Sequence, residues 1–232
     1  MSIDKILFTP EGKAKTPEEI HEKVVHFKYA DSVSRIIRES QKLDDKGKIF
    51  IQCASFILLN FGMTRGGPFK GAEKQKAILH DCWNEIGDSL ISINNSVIES
   101  GLSRGRYLLE LNEKKREELI SEIWFNTKQI LLFTMGKYSY GLVGASKILF
   151  SVLPEIVLPI DNSQWLNVFK TVDLGDVIRR MVSEIQLWER VTGRKLNEMG
   201  DSRKLATLPS IYNVMAMAAR PKSFKKEVRK VG

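Results

Sequence analysis

The sequence predicts an all-α protein, a bundle of about eight to ten helices. Three observations point there. Apolar residues recur three and four positions apart along most of the 232 residues. Helix start signals (a capping residue, a proline, early glutamates) stand ahead of several of these runs. Sustained alternation of apolar and polar residues, which would mark half-buried strands, is almost missing.

Thr16-Pro17-Glu18-Glu19 opens the first helix. It offers a capping hydroxyl, a proline at the first helical position and a glutamate placed to close a capping box. Ile20, Val24 and Phe27 follow at helical spacing, then Val33, Ile36 and Ile37 in a second run that ends near Asp44-Asp45-Lys46-Gly47. Residues 48–61, KIFIQCASFILLNF, are the most hydrophobic segment, and their length and lack of an internal turn favour a helix at the centre of the core. Four glycines and a proline make residues 62–71 a loop.

A long helical stretch is expected from about Ala72 to Glu99, with Gly87 and Asn94-Asn95 as points where it could break. Residues 100–112 read as a connector, and Asn112 as the cap of a helix running to about Met135. Residues 136–144 read as a second glycine-rich loop, followed by a helix of about ten residues that ends at Leu153-Pro154. An extended piece, Glu155 to Ile160, leads to Asp161, which can cap a further helix carrying Trp165, Val168 and Phe169. Asp176 to Val191 is the cleanest amphipathic pattern: Val177, Met181, Ile185 and Trp188 on one face, Arg179, Arg180 and Glu184 off it. A last helix is expected over about Ser210 to Ala219. The organisation is a single helical domain over residues 1–219, or two lobes (1–100 and 112–219), followed by a basic tail, 220–232.

The formal net charge is +8, and the tail RPKSFKKEVRKVG supplies much of it, with six basic residues against one glutamate. Such a segment attracts nucleic acid or another acidic surface, or serves only solubility. No segment approaches the roughly 18–20 apolar residues of a membrane span, and the N-terminus does not read as a signal peptide, so a cytoplasmic location is the default. Cys53 and Cys82 sit in apolar helical patterns and read as free buried thiols. The three histidines (His21, His26, His80) have no metal-ligand spacing, and the P-loop, dinucleotide and serine-hydrolase patterns are missing. No metal or cofactor is expected.

Two segments could carry chemistry. Phe61 to Gly71 places Arg65 and Lys70 among glycines, where backbone amides can approach an anion; its other reading is a helix connection with Phe69 pinned to the core. The second runs from Gly144-Ala145-Ser146-Lys147 to Pro159-Ile160-Asp161. A helix packed beside the Pro-Ile-Asp turn would bring Lys147 and Asp161 together, and a buried lysine of lowered pKa is an amine nucleophile. Otherwise Asp161 is only a helix cap and Lys147 a solvated surface residue.

Pro159-Ile160-Asp161, followed by an amphipathic helix, resembles the turn of the helix-hairpin-helix DNA glycosylases. That resemblance implies Lys147 as the nucleophile and Asp161 as the carboxylate in attack on the sugar of a damaged nucleotide. Gly141-Leu142-Val143-Gly144 stands where that family carries its Leu-Pro-Gly-X-Gly hairpin. The same segment, with Gly62-Met63-Thr64-Arg65-Gly66, is also similar to a group of uncharacterised prokaryotic proteins that carry a Gly-Met-X-Arg-Gly loop and a later Pro-Ile-Asp segment.

The expectation is therefore a helical nucleic-acid-binding protein, DNA rather than RNA, with a glycosylase/lyase-like centre. Phosphate contacts would come from Arg65, Lys70, Arg104, Arg106, Lys222, Lys225, Lys226, Arg229 and Lys230, with the Arg-Tyr pairings around residues 104–107 and 137–140 suited to stacking. The alternative is a non-enzymatic helical interaction or oligomerisation module.

Overall fold

The structure, a computed structural model, describes residues 5–102, 104–134 and 140–221. Within them the chain is all-α: α1 (Pro17–Val25), α2 (Ala30–Ser40), α3 (Lys48–Asn60), α4 (Ala72–Glu99), α5 (Tyr107–Glu110), α6 (Glu113–Thr134), α7 (Tyr140–Phe150), α8 (Asn162–Gln164), α9 (Leu174–Thr192) and α10 (Leu208–Ala218). One π-helical turn, Trp165–Phe169, continues α8. No described helix is long and apolar enough to cross a membrane.

The start of α1 forms as its sequence dictates. The Glu19 amide donates to Thr16 Oγ1 (3.2 Å), and the Thr16 amide donates back to the Glu19 carboxylate (2.7 Å). Two of the amides that a helix start leaves unpaired are thereby satisfied. Asp44, in the turn before α3, accepts the amides of Lys46 and Ile49 at 2.9 Å each and so caps that helix from outside.

α3 is the central helix expected of its composition. It packs against α2, α4 and α7, burying Phe50, Cys53, Ala54, Ile57 and Leu58. α6 packs against α4, α7 and α9, and α10 against α1. Buried apolar side chains from all these elements join in one cluster. Burial raises the thiols of Cys53 to about 11 and Cys82 to about 12, so both remain protonated, unreactive packing groups at neutral pH.

Three expectations are corrected. α4 runs unbroken for 28 residues. Gly87 does not interrupt it because the Trp83 ring, one turn earlier, lies across the glycine: a Cβ there would come within 2.9 Å of that ring. The segment 136–144 is not a loop throughout, since α7 begins at Tyr140 and takes in Gly141 and Gly144. Glu184, expected off the apolar face of α9, is buried. Its carboxylate accepts the Leu7 amide and the Tyr212 hydroxyl (2.8 Å).

That last contact involves a segment the periodicity left unassigned. Residues 5–15 fold back on themselves, with an antiparallel bridge between Phe8 and Ala14, and bury Ile6, Leu7 and Phe8. The Trp188 indole donates to the Lys15 carbonyl at 2.8 Å. Three apolar residues in a row are too few to show a period, and only their burial and the bonds of the segment to α9 reveal their role.

Candidate functional site

The site is built on α7 and the turn that follows it. Ser146 joins the two: its hydroxyl accepts the Ile160 amide at 3.1 Å, and lies 3.2 and 3.3 Å from the Val143 and Ile160 carbonyls, to which it donates. Lys147 is the next residue along α7, and Asp161 the next beyond Ile160, so one serine ties the helix that carries the lysine to the turn that carries the aspartate.

Lys147 is not a solvated surface residue. It is 3 % exposed, in the last turn of an apolar helix. Its ammonium lies 5.4 Å from the centre of the Phe61 ring and has no hydrogen-bond partner among the described residues. Burial lowers its pKa from 10.5 to about 8, and the negative charge of Asp161 opposes that shift only in part.

Asp161 is the cap expected of it. It accepts the Gln164 amide at 2.8 Å, and its own amide donates to the Gln164 side chain at 2.9 Å. Gln164 is held in turn by a 2.7 Å bond to Asn213 of α10. The other Asp161 oxygen takes Nη1 of Arg220 at 2.6 Å. Lys147 and Asp161 are thus electrostatic neighbours without a direct ion pair, because Arg220 occupies the carboxylate. Arg220 also donates to the Met217 carbonyl (3.0 Å), which fixes the first residue of the basic tail against this site.

The 62–71 loop meets α7. Met63–Arg65 and Gly67–Phe69 form two short 3-10 turns. Phe69 is buried against Gly144, where a Cβ would stand 2.7 Å from its ring. Phe61, at the head of the loop, lies between Lys147 and the Tyr29 ring, which stacks on it at 4.7 Å; Phe27 meets Tyr29 edge-on at 5.7 Å. A half-buried aromatic row therefore leads up to the lysine.

The expected phosphate contacts are scattered. Arg65 and Lys70 are exposed on the loop beside α7. Arg104 is exposed in the connector, in a left-handed conformation (φ 60°). Arg106 is committed elsewhere: its guanidinium reaches Glu189 at 2.6 Å and Glu110 at 3.0 Å, so two carboxylates already balance its charge. Lys222, Lys225, Lys226, Arg229 and Lys230 lie outside the described residues, as do Lys137 and Tyr138. Among the described residues no group of three or more His, Cys, Asp or Glu side chains is arranged to hold a metal ion.

Sequence reasoning reached Lys147 and Asp161 but missed Phe61, Tyr29, Ser146 and the Arg220 pairing. Phe61 reads as the last apolar residue of a core helix. Nothing in its spacing distinguishes a ring facing an ammonium from one facing leucines. Compared with family models, with curated proteins and with solved structures, the chain matches none.

Proposed function

We propose that this is a nucleic-acid-binding protein, with DNA as its partner, in which Lys147 is the amine nucleophile of a glycosylase/lyase-like centre and Asp161 its carboxylate. The observation that carries the reading is a buried lysine without a hydrogen-bond partner among the described residues, its pKa lowered to about 8. Holding an ammonium there costs stability, offset among the described residues by the Phe61 ring and the Asp161 charge but by no hydrogen bond. What the arrangement provides is a reactive amine. At pH 7 about one Lys147 in ten is neutral, against about one in three thousand for an ordinary lysine.

The chemistry follows from that neutral amine. Its lone pair attacks C1′ of a ring-opened abasic sugar, the C1′–N bond forms, and the carbonyl oxygen leaves as water with one amine proton and one proton taken from solvent, the second amine hydrogen staying on nitrogen. The product is a protonated imine, and the nearby Asp161 carboxylate favours its positive charge. The aromatic row of Phe27, Tyr29 and Phe61 supports the reading as a surface on which an unstacked base can lie. Arg65 and Lys70 on the adjoining loop suit phosphate contact.

Borohydride trapping on DNA with an abasic site tests the enzyme. The wild type is expected to give a covalent adduct and Lys147→Ala none. The trapping rate should rise about tenfold from pH 6 to pH 7 and level off above pH 8, because the reactive form is the neutral amine. Equal trapping by Lys147→Ala would overturn the assignment.

Binding is tested separately, by fluorescence anisotropy on single-stranded and duplex DNA. Six or more phosphate contacts weaken affinity roughly a thousandfold between about 50 and 200 mM salt. A chain ending at Ala219 is expected to bind more weakly and with a shallower salt slope. If neither form binds at low salt, the nucleic-acid reading fails.

A further inference from the structure

A second cleft, lined by neither Lys147 nor Asp161, has its own chemistry. It measures about 420 Å³ and lies between α2, the C-terminal end of α4 and the turn after α7. Ile37, Val97, Leu153 and Ile156 form apolar walls, and Asn94 and Glu155 supply polar groups. That volume falls within the range of roughly 300–1,000 Å³ usual for small-molecule sites.

Of the polar side chains lining the cleft, Ser40 donates to the Ile37 carbonyl and Gln41 is exposed, while Asn94 and one Glu155 oxygen are left to meet a ligand. Asn94 is 8 % exposed, within a helix whose interior otherwise prefers apolar or paired side chains, and its amide has no hydrogen-bond partner among the described residues. One Glu155 oxygen accepts the Gly105 amide, while the other has no described partner. Among the described residues no lysine, arginine or histidine lines the cleft. Arg104, in the connector, is the charged group that acts on Glu155 from outside it.

We infer that this cleft binds a small organic cation, an amidinium or guanidinium head on a flat apolar body. The argument is one of complementarity. An anion would face Glu155 with no cation among the described lining residues, Arg104 acting only from outside the cleft. A purely apolar molecule would leave both the carboxylate and the buried amide unpaired, which wastes the affinity its burial provides. A planar head with several N–H donors can satisfy the Glu155 oxygen and the Asn94 carbonyl together, and the apolar body then lies between the isoleucine, leucine and valine walls. Such a ligand requires Glu155 ionised. Burial raises that carboxyl to about 7, against the opposing Gly105 bond and Arg104 charge, so binding takes up the carboxylate form near neutral pH.

Calorimetry with benzamidine on the full chain provides the test. At pH 8 benzamidine is expected to bind at about millimolar or tighter, and at least about tenfold more tightly than benzyl alcohol or benzoate. Asn94→Leu and Glu155→Gln should each weaken it about tenfold. Leu102→Trp, at the exposed rim of the cleft and without consequence for the core, should abolish binding while the chain stays folded by circular dichroism. Lowering the pH from 8 to 6 should weaken wild-type binding about tenfold, and Glu155→Gln should lose that dependence. Benzamidine bound no more tightly than benzyl alcohol, or bound equally by the wild type and Leu102→Trp, overturns the inference. So does the absence of any binding at about 10 mM.

Discussion

Replacing Glu184 with alanine is expected to destabilise the fold by about 3–5 kcal/mol, the range for removing one member of a buried, charge-assisted network. For a chain of this size that is a fall in midpoint temperature of roughly 10 °C or more. The reason lies in what the carboxylate holds. It accepts the Leu7 amide from the N-terminal segment and the Tyr212 hydroxyl from α10, and Arg180 stands 3.9 Å away one turn earlier on α9. Alanine would strand two buried donors and remove the tie between both ends of the chain and α9. Glu184→Gln returns one acceptor but turns an amide donor toward another donor, so it should fall between alanine and wild type.

The ionisation of the same residue has a predictable sign. Burial raises the Glu184 pKa, with the Leu7 and Tyr212 bonds opposing. A folded-state pKa above the unfolded value means that the folded chain holds the extra proton between the two. Stability from this group is therefore greatest at the acidic end and declines as pH rises from about 4.5 through the raised pKa. Urea unfolding of wild type and Glu184→Gln across that window should show their difference in stability changing with pH. A constant difference, or a Glu184→Ala loss below about 1 kcal/mol, would mean the carboxylate is not the buried tie described.

The second large effect is expected at Gly105. Its backbone is left-handed (φ 82°), and a Cβ would stand 2.8 Å from Leu208 N, Leu208 Cβ and Pro209 Cδ at the start of α10. Those neighbours are a backbone nitrogen, a proline ring carbon and a Cβ fixed to the backbone, and none can swing aside. Conformation alone costs a non-glycine residue about 1–2 kcal/mol there, and the overlap adds more. The same residue donates to Glu155, while the preceding Arg104 carbonyl accepts the Leu208 amide at 2.9 Å. Gly105→Ala is therefore expected to lose about 3 kcal/mol or more in denaturant unfolding. Gly101→Ala serves as control: its φ is also positive, 66°, but the space around it is open. It should lose only about 1 kcal/mol. Equal losses at both positions would remove the close approach as the cause.

The sequence went far toward the fold because helices announce themselves locally. The Thr16 capping box, the Asn112 cap and the apolar stripe of α9 each depend on residues within a turn or two of one another, and each formed where the spacing places it. Local signals also misled where a distant or overlying ring changed their meaning. Gly87 reads as a helix breaker until Trp83 covers it, and Glu184 reads as a solvated face until Leu7 and Tyr212 bring their donors to it.

The candidate site divides along the same line. Lys147 and Asp161 were legible because a turn motif and a helical lysine lie only 14 residues apart. What gives them chemistry was not. The Phe61 ring comes from 86 positions earlier in the chain and Arg220 from 59 positions beyond Asp161. By itself the sequence determined an all-α chain, its helix starts, its apolar faces and a lysine–aspartate pair to weigh. Tertiary structure alone decided that the lysine is buried with a ring over it and no hydrogen bond among the described residues, that the aspartate is taken by Arg220, and that Asn94 and Glu155 share a cleft. The physical reason is that capping and periodicity are set by neighbours along the chain, whereas burial, pKa and complementarity are set by neighbours in space.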